Sequence, residues 1–148
     1  MLARDLAEAF PVVRLDDDAL DAVRLLASGR LPGIVVADLQ GRPQAILPGS
    51  QVLRFVLPLY VQEDPALARV YDEEHADRIA SRLAGRPVRD VLPRSAQELA
   101  VVDEDATAVE VAAVMARLRS PLAVVAGSAG ILGVVTAAHL LEHLVPPR

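Results

Sequence analysis

DDDALDAVRLLASGRLPGIVVA (residues 16–37) has a second version later in the chain, DEDATAVEVAAVMARLRSPLAVVA (residues 103–126). In each copy an acidic triplet precedes an apolar stripe at i, i+3, i+4 and i+7, the pattern of a helix with one buried face. This alignment matches residues 16–18 with 103–105 and residues 30–32 with 119–121. The chain therefore contains one structural unit twice.

Each copy predicts the element order β-α-β-β-α, and the two acidic triplets are expected to cap the helices that follow them. A single unit leaves its sheet and helix faces half covered, so the two units are expected to pack together and share a core. The predicted fold class is α/β (α+β). The predicted strands are 12–15, 34–37, 44–47, 99–102, 122–125 and 131–135, and the predicted helices are 19–28, 107–118, 137–144 and one that begins at 49.

Between the two units lies a segment that neither copy shares. Asp64 can cap a helix that begins at Pro65, an apolar stripe ending at Leu83 continues it, and Gly85 stops it. The predicted organisation is a first repeat at 1–62, an inserted helical linker at 63–85 and a second repeat at 86–148. We expect the charged face of the inserted helix to be solvated, with a dimer or partner contact as the alternative.

Composition excludes several classes of function. The 148 residues are 53% hydrophobic with a net charge of -5, so the chain has no general attraction to nucleic acid. There is no cysteine, which excludes disulfides and fits a reducing compartment. Arg4, Asp5 and Glu8 interrupt any secretory signal, and the apolar run 55–61 is far shorter than the roughly 20 residues of a membrane span. We expect a cytoplasmic protein that binds neither membrane nor nucleic acid.

The two units, the lead-in Val88-Arg-Asp-Val-Leu92 and the junction Gly133-Val-Val-Thr136-x-x-x-Leu140 together resemble a paired cystathionine-β-synthase (CBS) domain, the Bateman module. The resemblance covers nearly the whole chain and implies a free-standing module whose two units pack about a pseudo-twofold axis. It implies a regulatory homodimer rather than an enzyme, with clefts that hold AMP, ADP, ATP or S-adenosylmethionine as regulatory ligand and no required cofactor. An effector protein, such as an enzyme or transporter, is expected to read the resulting change of shape.

The same resemblance points to the start of the last helix as part of a ligand site. In nucleotide-binding relatives a Thr or Ser at the position of Thr136 contacts phosphate or ribose, and the adjoining helix N-terminus favours an anion. His139 stands where those relatives have a ribose-binding Asp, and the corresponding pair in the first unit is Pro48 and Gln51. Both His139 and Gln51 can still hydrogen-bond a hydroxyl.

Arg30 and Arg119 occupy equivalent places before the second strand of each unit, where basic residues of nucleotide-binding relatives reach phosphates. Guanidinium groups bind phosphate through paired hydrogen bonds. The alternative is a surface arginine whose stem covers apolar area. Pro32 in the first unit, and Ser120 with Pro121 in the second, are then expected to line the base pocket, and the second unit is the better site.

Two other functions stay open. In a ligand-free dimerisation scaffold, Pro48, Gln51 and His139 mark degenerate nucleotide sites. In a zinc enzyme, His139-Leu-Leu-Glu-His143 fits the H-x-x-E-H pattern of inverted zinc peptidases, but no Glu follows it as a third ligand. We therefore expect no catalytic residue and no metal site.

Overall fold

Two three-stranded sheets organise the chain, with orders β1-β2-β3 and β4-β5-β6. The computed structural model describes residues 1–70, 73–95 and 97–148, and the side chains of all of these except 73–76. In each sheet the first strand is parallel and the third antiparallel to the central one, which confirms the predicted α/β fold of two repeated units. The elements are α1 Ala3–Leu6, β1 Val12–Arg14, α2 Ala19–Ser28, β2 Gly33–Ala37, β3 Pro43–Pro48, α3 Gly49–Val56, α4 Leu59–Glu63, α5 Glu73–Leu83, β4 Val101–Asp103, α6 Ala108–Leu118, β5 Leu122–Gly127, β6 Gly130–Thr136 and α7 Ala137–Leu144, with short 3-10 helices at Pro65–Val70 and Val88–Asp90.

The central strands explain why both units pack as they do. β2 is buried along its whole length and β5 over its first four residues, as expected for strands covered on both faces. One face of each sheet packs on that unit's helices, while the other face meets the opposite sheet through Val35, Leu122, Val124 and Val134. The shared core that the sequence predicts therefore lies between the two sheets.

Tight turns close the two hairpins. The N–H of Arg42, together with that of Gln40 and the Arg42 side chain, binds the carboxylate of Asp38 and holds the pKa of Asp38 below its ordinary value. In the second unit the strands run on to Gly127 and Gly130, so the turn is shorter than the 126–130 stretch that the sequence predicts. Gly130 allows this because its φ of 111° is a conformation that other residues rarely adopt.

The register of the parallel strands corrects the alignment of the two acidic triplets. β1 pairs with 35–37 and β4 with 124–126, so residues 16–18 correspond to 105–107 rather than to 103–105. Asp18 caps α2 by accepting the N–H of Asp21, whereas Thr107 caps α6 by accepting the N–H of Glu110. The prediction that the second acidic triplet caps α6 was wrong, because a hydroxyl two residues further on takes that place.

Each repeat is preceded by a lead-in, residues 1–8 before β1 and residues 88–92 before β4, and each lead-in packs on the other repeat. The N–H of Ala3 donates to the carbonyl of Ala106 at 2.7 Å, so α1 joins the core of the second repeat. The N–H of Val88 donates to the carbonyl of Asp17 at 2.9 Å, so the 3-10 helix Val88–Asp90 joins the core of the first. The two repeats are thereby linked by crossed segments as well as by their facing sheets.

The sequence predicted one continuous helix for the inserted segment. The structure instead has the 3-10 helix Pro65–Val70 followed by α5, and residues 71–72 lie outside the described residues. Asp64 does start the segment, because its carboxylate accepts the N–H of Ala66 and its carbonyl accepts that of Leu67. That second bond spans three residues, the spacing of a 3-10 helix, and no side chain of Pro65–Val70 is buried. α5 does enter the core, through Leu83, which is 3% exposed.

Candidate functional site

A cavity of about 400 Å³ lies between the two repeats. Its walls come from four places in the sequence: Leu15, strand β3 with residues 44–46 and 48, the loop 118–121 after α6, and the connection 92–95 with 97–100. Leu15, Ile46, Leu99 and Pro121 give it apolar surface, and Gln44, Arg94, Ser95 and Arg119 give it polar groups. Apolar walls with a few polar groups are typical of sites for small organic ligands.

The cavity owes its position to a difference between the two lead-ins. In the N-terminal lead-in, Glu8 exchanges two backbone hydrogen bonds with Val134, at 2.8 and 2.9 Å, and so lies along β6. This close approach requires a glycine, because a Cβ on Gly133 would lie 2.5 Å from the carbonyl oxygen of Glu8. The corresponding connection after the second lead-in, 92–100, is longer than 7–11, and it borders the cavity together with β3.

Two of the residues that line the cavity carry a positive charge. Arg94 and Arg119 line it, and neither enters an ion pair in the part of the chain that the structure describes. The acidic residue of the lining, Glu98, is neutralised by Arg117, whose guanidinium lies 3.2 Å from the carboxylate. The lining therefore includes two arginines, the residue type that binds anionic groups through paired hydrogen bonds.

The backbone sets the direction of Arg119. Its N–H donates to the carbonyl of Ala116 at 3.3 Å and that of Ser120 to Met115 at 3.0 Å, so α6 ends in a left-handed cap. Arg119 has a φ of 51°, in a position where glycine is usual. The chain reverses there and enters β5 beside the cavity.

Of the residues singled out from the sequence, Arg119, Ser120 and Pro121 line the cavity together with Pro48. Arg30 and Pro32 lie at the equivalent loop of the first repeat, where both are exposed, and they do not line this cavity. The hydroxyl of Ser120 donates to the carbonyl of Leu122.

Thr136, His139 and Gln51 lie outside the lining and have partners within the protein. The hydroxyl of Thr136 caps α7 by accepting the N–H of His139 at 3.2 Å. The Nδ1 atom of His139 lies 3.2 Å from a carboxylate oxygen of Glu8, and the amide of Gln51 donates to the carbonyl of Val91 at 3.0 Å. His139 and Gln51 thus link the two lead-ins to α7 and α3.

Sequence reasoning missed Arg94, Gln44 and Ile46, which the fold brings to the cavity from distant segments. Arg94 could have been suspected, because it follows the second lead-in in a connection longer than its counterpart at 7–11. Gln44 and Ile46 carry no such signal, since they belong to an ordinary hairpin strand.

In the H-x-x-E-H motif, Glu142 and His143 are exposed, whereas His139 is partly buried. The rings of His139 and His143 meet edge to face with centroids 5.0 Å apart. Among the described residues, no three His, Asp or Glu side chains are grouped as metal ligands. None of the helices in the described residues has the length and apolar character to cross a membrane.

Comparison with known proteins extends these observations. The sequence model of the CBS domain matches residues 88–146. A CBS domain-containing protein of unknown function from Kribbella flavida DSM 17836, known from a crystal structure, is 55% identical, with 99% of each chain covered and a TM-score of 0.87. Uncharacterized protein MJ1426 of Methanocaldococcus jannaschii is 26% identical over 98% of this chain and 92% of its own. CBSX2, whose crystal structure was solved in complex with AMP, is 16% identical in sequence, with 97% of this chain and 96% of its own covered and a TM-score of 0.67. At this sequence identity the similarity shows a shared fold.

Proposed function

The chain belongs to the CBS domain family, and from that premise we propose that it is a regulatory module that binds an adenine nucleotide or related adenosyl ligand between its repeats. The observation that carries the proposal is the presence of two arginines, Arg94 and Arg119, in the lining of one cavity. Because neither is neutralised by a described carboxylate, a ligand with phosphate groups gains charge-assisted hydrogen bonds without first breaking an ion pair. A relative of the same fold was solved with AMP.

The rest of the cavity suits the remainder of such a ligand. Its volume of about 400 Å³ falls within the roughly 300 to 1,000 Å³ of small-molecule sites. Leu15, Ile46 and Pro121 supply apolar surface for a planar base, and Gln44 supplies an amide for its polar edge. Arg30, Pro32 and Gln51 in the first repeat, and Thr136 and His139 in the second, lie outside this lining, so the proposal assigns them no contact with the ligand in this cavity.

The position of the cavity suggests how binding is transmitted. Its walls belong to both repeats and to the connection between them, so a ligand held by Ile46 and Arg119 favours one relative arrangement of the two repeats. A partner that binds that arrangement more tightly is then coupled to the ligand.

A homodimer in the cytoplasm, acting on an effector protein such as an enzyme or transporter, completes the proposal. Exposed leucines on three helices, Leu25 on α2, Leu53 on α3 and Leu141 on α7, offer apolar surface for the second copy. The proposal assigns no catalytic residue and no required cofactor.

The test is the melting temperature of the purified protein with AMP, ADP, ATP, S-adenosylmethionine or NADH. A ligand at a hundred times its dissociation constant adds about 2.7 kcal/mol to the free energy of unfolding, which raises the melting temperature by several degrees. Arg94→Ala and Arg119→Ala should reduce the shift, whereas Arg54→Ala, an exposed arginine of α3 away from the cavity, should retain it. No shift with any ligand would favour the scaffold, and stoichiometric zinc in the purified protein would favour the metal hypothesis.

A further inference from the structure

The first repeat carries a helix that the described part of the second repeat lacks. α5 packs on α2 and α3, where Ile79 and Leu83 join the core of the first repeat. The guanidinium of Arg82 donates to the carbonyl of Val56 at 2.9 Å, at the C-terminal end of α3. Helix α5 therefore covers the surface between α2 and α3 with apolar residues four positions apart and an arginine between them.

The equivalent surface of the second repeat lies open. α7 corresponds to α3 and α6 to α2, so Leu144 stands where Val56 stands, yet it is 41% exposed and Val56 is 3% exposed. Val109 and Val145 are 69% and 61% exposed, whereas their counterparts in the first repeat are half-buried. We call this surface, formed by Val109, Leu144 and Val145, the open groove.

The backbone beside the open groove follows that of the first repeat. The N–H of Ala19 donates to the carbonyl of Arg86, just after α5, at 2.7 Å, and the N–H of Ala108 donates to the carbonyl of Met1 at 3.2 Å. The backbone at the start of α2 and of α6 therefore makes equivalent hydrogen bonds in the two repeats. The two surfaces differ in that α5 covers the one in the first repeat, whereas no described helix covers the open groove.

We propose that the open groove docks an amphipathic helix of a partner protein with the pattern of α5, apolar residues at i and i+4 and an arginine at i+3. The chain's own use of such a helix on the equivalent surface shows which shape fits. Charge agrees with this choice, because the C-terminal end of α7 carries the negative end of its helix dipole. A carbonyl at that end of α7 can therefore accept a hydrogen bond from an arginine of the docked helix, as the carbonyl of Val56 does from Arg82 in the first repeat.

This inference goes beyond the proposed function, since the open groove shares no residue with the nucleotide cavity. It concerns where an effector attaches, whether or not a ligand is bound. An amphipathic helix in an apolar groove is a common mode of peptide recognition, with anchors at i and i+4.

The test uses a fluorescent synthetic peptide with the sequence of residues 73–86, titrated with the full chain and followed by anisotropy. The peptide does not displace α5 from the first repeat, because a tethered segment acts at an effective concentration of the order of mM. We expect saturable binding at one peptide per chain, weakened at least about tenfold by Leu144→Glu or Val109→Glu. Leu39→Glu, which alters an exposed leucine in the turn of the first hairpin, is the control and should bind as the natural chain does.

Two altered peptides test the pattern itself. One that replaces Ile79 and Leu83 by Ser should not bind, and one that replaces Arg82 by Ala should bind more weakly. Circular dichroism of each protein variant verifies folding, which substitution of these exposed side chains should preserve. Absence of saturable binding, or binding that Leu144→Glu leaves unchanged, would overturn the proposal. So would a dimer that Leu144→Glu converts to monomers in sedimentation while the peptide fails to compete, because a second copy would then fill the groove.

Discussion

Arg30 and Arg119 end equivalent helices in the same left-handed backbone conformation, with φ of 50° and 51°. No other non-glycine residue has a positive φ in the part of the chain described. A side chain in this conformation costs roughly 1 to 2 kcal/mol, which is why glycine is usual there. Of the two arginines, Arg119 lines the cavity and Arg30 does not. The shared backbone conformation therefore belongs to the repeated helix end, and the cavity is what distinguishes Arg119.

Substitution Arg119→Gly separates binding from folding. Glycine removes the backbone strain, so we expect the free energy of unfolding, measured in urea, to stay unchanged or rise by up to about 1 kcal/mol. Loss of the phosphate contact should cost about 1.5 to 3 kcal/mol of binding, or ten- to a hundredfold in affinity by calorimetry. If Arg119→Gly clearly lowered the free energy of unfolding, the side chain would have a structural role instead.

Calorimetry should find one nucleotide per chain. The reason is the asymmetry of the lead-ins, since Glu8 lies along β6 in the first half while the longer connection 92–100 borders a cavity. Two equal sites, one of them lost in Arg30→Ala, would show that the first repeat also binds ligand.

Gly133→Ala should destabilise the protein. The added methyl group would lie 2.5 Å from the carbonyl oxygen of Glu8, so the lead-in must shift. Overpacking of this kind costs about 1 to 3 kcal/mol, measurable as a lower midpoint in urea. The control is Gly49→Ala at the start of α3, where the nearest atom, Cδ2 of Leu26, is 3.8 Å away. That substitution should leave stability unchanged or raise it by up to about 1 kcal/mol.

Leu83→Ala tests whether the inserted helix belongs to the core. Leu83 is 3% exposed and packs with the first repeat, so truncation should lower the free energy of unfolding by about 2 to 5 kcal/mol. Leu67→Ala, in the exposed 3-10 helix, should change it by less than about 0.5 kcal/mol. Equal effects of the two substitutions in urea unfolding would contradict the described packing.

Local patterns predicted the helices well, and non-local contacts account for what they missed. The bounds of α2 and α7 agree with the sequence analysis, because apolar stripes and caps are encoded within each helix. Strand β4 was predicted at 99–102 but lies at Val101–Asp103, since pairing with β5 sets its register. The crossed lead-ins could not be predicted, because their partners are distant in sequence.

In the candidate site, too, residues with a local sequence signal were predicted and residues brought together by folding were missed. Arg119, Ser120 and Pro121 were predicted as ligand contacts from the resemblance to CBS-domain pairs, and in the structure they line the cavity. Arg94 was missed because its importance depends on where a connection lies after folding. Gln51 and His139 were predicted as ligand contacts from their position, but their bonds to the lead-ins appear only in the folded chain.

The most direct test of the central claim is an amide NMR spectrum of the labelled protein titrated with AMP and with ATP. If an adenine nucleotide binds between the repeats, shifts should concentrate at Ile46, Arg94 and Ser120, the lining of the cavity. Amides near Arg30 should stay unchanged at the same concentrations. A spectrum that neither nucleotide perturbs, or shifts centred on Arg30 rather than Arg119, would contradict the account.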